Sequence, residues 1–122
     1  MRVLNVVDSS GWLEYMADTE RAALFAPAIE DPENLVVPTI VILEVVKKVL
    51  RDRGEIFANQ VAEALKIGKV VDLDSSISLE ASRLKLPLAD SIIYATTIRC
   101  NATLWTQDEH LKDLSNVHYF EK

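Results

Sequence analysis

A single cysteine, Cys100, and two histidines, His110 and His118, are all the thiol and imidazole donors in this 122-residue chain. One cysteine excludes an internal disulfide and makes a reducing cytoplasm the simplest compartment. With so few such donors, a structural zinc site is not expected. Glycine is scarce too: Gly11, Gly54 and Gly68 lie far apart, so the glycine-rich phosphate loop of a dinucleotide-binding fold is missing. No apolar run is long enough to span a bilayer, because the longest, Leu35 to Val46, contains Glu44. The opening Met-Arg-Val-Leu-Asn-Val-Val-Asp is too short and too soon acidic for a signal peptide. Basic residues are outnumbered, 13 against 19 acids for a net charge of −6. That balance argues against a general electrostatic nucleic-acid binder. It leaves room for an enzyme that meets nucleic acid through a metal ion and a local basic patch.

What is present fits one globular domain over residues 1–122, with 49% hydrophobic residues and enough length for a core. Apolar β-branched runs at Arg2–Val7, Leu35–Val37, Lys69–Val71 and Ala102–Trp105 read as strands, with a last extended piece around Val117–Phe120. Helical spacing marks Trp12–Tyr15, Glu20–Ile29 with Asp18 or Thr19 as N-cap, Thr39–Arg53 ended by Gly54, and Glu55–Leu65. Further helices are expected from about Asp72–Ser76 to Lys85 and over Glu109–Leu114. Strands alternating with helices predict a parallel sheet covered on both faces. Trp12, Tyr15, Tyr94 and Trp105 read as core or rim residues.

The stretch Leu86-Pro87-Leu88-Ala89-Asp90-Ser91-Ile92-Ile93-Tyr94-Ala95-Thr96-Thr97-Ile98-Arg99 predicts the central helix. Proline opens a helix readily but sits poorly inside one. Leu88, Ile92, Ala95 and Ile98 form an apolar stripe that Ala89 and Ile93 widen. Asp90 falls in the first turn, where a carboxylate is favoured by the unpaired N–H groups. Tyr94 and Thr97 share its face.

In such a sheet, ligands collect outside the carboxyl ends of the strands. Asp8 ends the first strand, Asp108 follows the fourth, and Asp90 opens the helix leading into that fourth strand. Glu44 is a lone carboxylate within Thr39–Val46. Three or four carboxylates converging there would repel one another unless a cation neutralised them. Mg²⁺ or Mn²⁺ suits an all-oxygen site of this kind and supports phosphodiester hydrolysis. Each residue also has a plainer role: Asp8 and Asp108 as helix caps, and Glu44 as one charge on a solvated face with Lys47, Lys48 and Arg51. In the functional reading that face borders the cleft, its cations turned toward RNA phosphates. Ser10 and Thr106 are candidate supporting hydroxyls. His110 looks isolated.

Four segments carry a resemblance: Val7-Asp8-Ser9-Ser10, Leu43-Glu44-Val45, Leu86 to Ala95, and Thr106-Gln107-Asp108. In this order they look like the signature segments of PIN domains, and the small size resembles the VapC-type toxins of toxin–antitoxin pairs. The resemblance implies an α/β/α sandwich and a Mg²⁺- or Mn²⁺-dependent endoribonuclease, usually a homodimer, held inactive by a cognate antitoxin. It makes Asp8, Glu44, Asp90 and Asp108 the acidic site, with Asp8 and Asp90 foremost as metal ligands and Ser10 and Thr106 in support. Antitoxins of this family thread a helix and a tail into a groove beside the site. The helices Thr39–Arg53 and Glu55–Leu65, through Phe57 and Val61, are the expected wall, and a basic tail would suit the acidic balance.

Two alternatives keep the fold: an RNA-processing nuclease with no toxin role, and a catalytically inactive binding module. A receiver-type phosphoacceptor domain shares the size and acidity. It needs an acidic pair after the first strand and a late lysine–proline, whereas Asp8 is followed by two serines.

Overall fold

The computed structural model describes residues 3–122. Five strands, β1 (Leu4–Val7), β2 (Leu35–Pro38), β3 (Lys69–Val71), β4 (Ala102–Thr106) and β5 (Val117–Tyr119), alternate with six helices. These are α1 (Ser9–Met16), α2 (Ala22–Ile29), α3 (Thr39–Arg53), α4 (Glu55–Leu65), α5 (Ser75–Ser82) and α6 (Leu88–Arg99). The strands form one sheet in the order β3-β2-β1-β4-β5, and every neighbouring pair is parallel. Parallel neighbours cannot be joined by a tight turn, so each connection carries chain back across a face of the sheet. The result is the α/β/α layering that the alternation predicts. Val6 lies between Val36 and Leu104 in register. All three are buried along with Val7 and Val37, as expected for strands covered on both faces.

Local chemistry sets the helix starts. α1 begins at Ser9, earlier than the expected Trp12, because the Asp8 carboxylate accepts the Gly11 N–H at 2.9 Å and caps it. α2 begins at Ala22, after Arg21, which makes no side-chain cap. Asp18 does not fill that role, with φ 52° in the preceding turn, whereas Thr19 caps the turn that leads into the helix: its hydroxyl accepts the Arg21 N–H at 3.2 Å and donates to Glu14. α5 is capped by Asp74 and stops at Ser82, three residues before the expected end. The expected helix at 109–114 is one 3₁₀ turn, Glu109–Leu111.

The helix α6 departs from its expected stripe. Leu88 and Ile98 are 80% and 44% exposed, whereas the continuous run Ser91–Thr97 is buried. Packing on more than one side explains this, since α6 touches α3, α5 and β4. An all-round buried helix has no single apolar face. Its buried hydroxyls are satisfied internally: Thr96 and Thr97 donate to the carbonyls of Ile92 and Ile93 at 2.8 and 2.9 Å.

The expected partner groove also needs correction. Val61 is fully buried in the main core, and Phe57 lies under the Arg53 guanidinium, 4.7 Å from the ring centre. The large apolar side chains that the α3–α4 hairpin leaves exposed are Leu43, Leu50 and Ile56.

Gly11 packs where no side chain fits. A Cβ there would lie 2.7 Å from both the Phe25 ring and the Val7 methyl, and both neighbours are fully buried. Overpacking of this kind costs about 1–3 kcal/mol. Gly11→Ala is therefore expected to lower the urea midpoint without changing the slope of the transition, and an unchanged midpoint would contradict this packing.

Candidate active site

The sheet order places a topological switch between β1 and β4: the chain leaves β1 toward β2 and β3, then returns to β4 on the other side. Clefts form at the carboxyl ends of the strands there. Asp8 directly follows β1, and Thr106 ends β4 with Asp108 two residues on. α6 runs back antiparallel to the strand that follows it, so its first turn, with Asp90, lies at this same end. α3 starts from the carboxyl end of β2 and carries Glu44 in its second turn.

The structure links the four carboxylates electrostatically, Glu44 through Asp8. Asp8 feels the charges of Asp108 and Glu44, and Asp90 those of Asp108 and Asp8. Asp8 is 4% exposed, and its two oxygens accept from the Gly11 N–H and the Thr106 hydroxyl. The Thr106 oxygen in turn accepts the Asp108 N–H at 2.9 Å, so one buried hydroxyl links two of the acids. Asp108 accepts the His110 N–H at 2.9 Å and caps the 3₁₀ turn. Both capping roles foreseen for Asp8 and Asp108 are thus real. Asp90 makes no cap bond.

Burial is the main reason Asp8 is pushed up to about 6, with the neighbouring acids adding to it and its two hydrogen bonds opposing it. Asp90 is pushed up to about 7, first by burial and then by a proton it shares with Asp108 and by that acid's charge. Burial also works on Asp108, but the bonds from the His110 backbone, from Asp90 and from the His110 ring outweigh it and hold this carboxyl low. Two carboxyl groups close enough to share a proton behave as one titrating unit.

Three site details were not legible from spacing. Glu44 accepts from Ser9 at 2.5 Å, so Ser9 rather than Ser10 orients a site carboxylate. Ser10 accepts from Gln107 instead. His110 is not isolated: its Nδ1 lies 2.9 Å from Asp108 and 3.9 Å from Asp90. Donor atoms of Asp90, Asp108 and His110 all lie within 4.8 Å of one another, the one such group among the described residues. It differs from the Asp8–Asp90 emphasis of the sequence. The cationic face beside Glu44 is also partly spent, since Lys48 and Arg51 pair with Asp52 at 3.1 and 2.9 Å. Lys47 alone on that face is unpaired among the described residues.

The family pattern described as PIN domain matches residues 6–117. The chain belongs to the PIN domain family. No curated protein matches it in sequence. Among solved structures, this PIN domain is similar to a toxin–antitoxin complex from Klebsiella pneumoniae, with TM-score 0.76 and 18% identity, covering 93% of this chain and 95% of that one. It is similar to VapBC2 from Rickettsia felis bound to a promoter DNA fragment (TM-score 0.75, 14% identity, 98% and 100% covered). It also resembles VapC20 of Mycobacterium tuberculosis, a sarcin-ricin loop cleaving toxin (TM-score 0.72, 18% identity, 88% and 92% covered). At these identities the likeness is one of fold.

The PIN site suits a divalent cation on its own chemistry. Its donors are carboxylate oxygens with one imidazole, and burial together with the neighbouring acids pushes two of them, Asp8 and Asp90, above their ordinary range, a cost that a cation would relieve. Thr106 is the joint of this arrangement. Thr106→Val keeps the shape but leaves an Asp8 oxygen and the Asp108 N–H unsatisfied, at a cost of about 1–3 kcal/mol. The expected result is a lower melting temperature and an Asp8 carboxyl raised further, read by NMR titration; an Asp8 titration that does not move would contradict the role given to this hydroxyl.

Proposed function

We propose that this PIN domain is a metal-dependent endoribonuclease and the toxin of a toxin–antitoxin pair, one catalytic unit over residues 1–122 in the cytoplasm. One observation carries the reading: four carboxylates gather at the strand ends of a PIN fold, and burial first, then the neighbouring acids, push Asp8 up to about 6 and Asp90 up to about 7. Asp8, Glu44, Asp90 and Asp108 would hold Mg²⁺ or Mn²⁺, Asp8 and Asp90 foremost, with the His110 imidazole beside Asp90 and Asp108. Such an ion would supply Lewis acidity that activates water for attack on the phosphodiester and eases departure of the leaving oxygen.

The chain's own residues do the rest. Thr106 and the Gly11 N–H hold both Asp8 oxygens, so this carboxylate cannot rotate away from the cleft. Ser9 does the same for Glu44. The shared Asp90–Asp108 proton marks where a cation would replace hydrogen. Thr106 and Ser10 stand in support, Ser10 at one remove through Gln107.

Partners follow the same reading. A cognate antitoxin is supported by likeness to the Klebsiella pneumoniae toxin–antitoxin complex, and RNA as substrate by likeness to a sarcin-ricin loop cleaving toxin. A homodimer is part of the proposal. No described helix is long and apolar enough to cross a membrane. The deciding experiment is cleavage of a mixed RNA pool by the purified protein, freed of any partner, with Mg²⁺, Mn²⁺ or chelator. Cutting that needs metal and is lost in Asp90→Asn supports the nuclease; equal cutting by parent and variant would sink it.

A further inference from the structure

Next to Asp108 and His110 opens a cavity of about 650 Å³ whose other lining includes Ser10, Gln107, Tyr119 and Lys122. That volume lies in the range of small-ligand sites, roughly 300–1,000 Å³. Its construction is specific. Gln107, buried to 3% exposure, accepts from Arg21 Nε at 2.5 Å and donates to Glu14 at 2.9 Å and to Ser10. The same Arg21 donates through Nη2 to the carbonyls of Phe120 and Glu121 at 3.2 and 3.3 Å. Tyr119 and Lys122 flank those two residues. One guanidinium therefore ties the segment that carries Tyr119 and Lys122 to the residue that precedes Asp108.

Gln107 and Arg21 are used up as framework, and what they leave free is suited to a polar, anionic ligand. Ser10 accepts from Gln107 and keeps its own hydrogen unspent. The Tyr119 hydroxyl has no hydrogen bond, and Lys122 forms no ion pair, among the described residues. Glu109 also lines the cavity, and Lys122 lies within electrostatic reach of Glu14, which Gln107 holds by a hydrogen bond.

We propose that this cavity is the subsite for the ribonucleotide next to the scissile phosphate. The Tyr119 ring stacks on its base, and Lys122 with the Ser10 hydroxyl binds its phosphate and ribose. Aromatic stacking joined to a local cation is how proteins hold an unpaired nucleotide without relying on a broad basic surface, which this acidic chain lacks. The proposal rests on the nuclease reading.

The test is binding of a short, fluorescein-labelled, random-sequence single-stranded RNA, followed by anisotropy in Mg²⁺ over a range of salt. The background is Asp90→Asn, so that the probe is not cut. Tyr119→Ala is expected to weaken binding about fivefold or more, while Tyr119→Phe, which keeps the ring, stays within about twofold. Lys122→Gln is expected to cost about threefold and to flatten the logarithmic salt dependence by roughly 0.7, one phosphate contact. Lys69→Gln makes the same charge change at the start of β3, the opposite end of the strands, and should leave both quantities unchanged. Lys122 is exposed, so its variant decides the matter even if Tyr119→Ala fails to fold. RNA bound equally by the Lys122 and Lys69 variants overturns the subsite and spares the nuclease. No RNA bound either by the Asp90→Asn protein or by the parent with Ca²⁺ in place of Mg²⁺ overturns both.

Discussion

Asp90→Asn is expected to abolish RNA cleavage and to make the metal-free protein more stable at pH 8, both from one cause. The Asp90 carboxyl is held up at about 7, first by burial and then by sharing a proton with Asp108 and feeling its charge. At pH 8 the folded, metal-free protein must carry that charge beside three other acids. An asparagine of nearly the same shape removes it, and its amide can donate to Asp108 where the shared proton lay. Cleavage should fall by about 10²-fold or more, since even loss of an outer partner of a metal ligand costs 10–100-fold. The melting temperature in chelator at pH 8 should rise by roughly 2–5 °C. The gain should shrink toward pH 5, where the parent Asp90 is itself protonated. Stability given up at an active site is regained when the site is disarmed. A variant that still cuts RNA, or one that melts below the parent at pH 8, would refute this account.

Without metal, the protein itself should lose stability as pH rises from about 4 to 7, and divalent cations should restore it. Asp8 has its carboxyl raised from an ordinary 3.8 to about 6 in the folded chain. Below 3.8 both folded and unfolded chains are protonated, so the group contributes no difference. Between the two values the unfolded chain releases its proton and the folded chain does not, so unfolding is favoured progressively as pH rises. Above about 6 the loss is complete. For this deeply buried group it amounts to about 3 kcal/mol, from about 1.4 kcal/mol per pH unit. Asp90, also raised, shifts in the same direction over a window that extends to about 7. Urea titrations in chelator at pH 5 and pH 8 read the effect directly. Adding Mg²⁺ or Mn²⁺ should stabilise strongly at pH 8 and little at pH 5, because the cation competes with protons for the same oxygens. A metal-free protein more stable at pH 8 than at pH 5 would mean that the carboxylates are not crowded as described.

How legible the site was depended on the distance each interaction spans. Asp8 and Asp108 could be placed because strand ends and helix caps are local features, and both residues do cap. Ser9 and Ser10 could not be told apart. Successive helical residues point about 100° from each other, and only the approach of α3 decides that Ser9 reaches Glu44. His110 looked isolated because its acidic neighbour across the cleft, Asp90, sits on another element; packing of α6 against β4 closes that gap to 3.9 Å. Val61 looked available for a partner because an apolar helical stripe fits a core and a groove alike, and the structure uses it for the core.

By itself the sequence determined the alternation of strand and helix, hence a parallel sheet covered on both faces, and the four acidic positions at one end of it. The alternation, and the places of Asp8, Asp90 and Asp108 at strand ends and a helix start, follow from periodicity and turn chemistry, properties of short segments; Glu44 joined them through the resemblance to PIN domains. The tertiary structure decided which face of α6 is buried, which hydroxyl serves which carboxylate, how far each acid is raised, and that Arg21 and Gln107 fasten Tyr119 and Lys122 beside the site. Those depend on contacts between residues far apart in the chain, whose energies arise only when elements pack and exclude water.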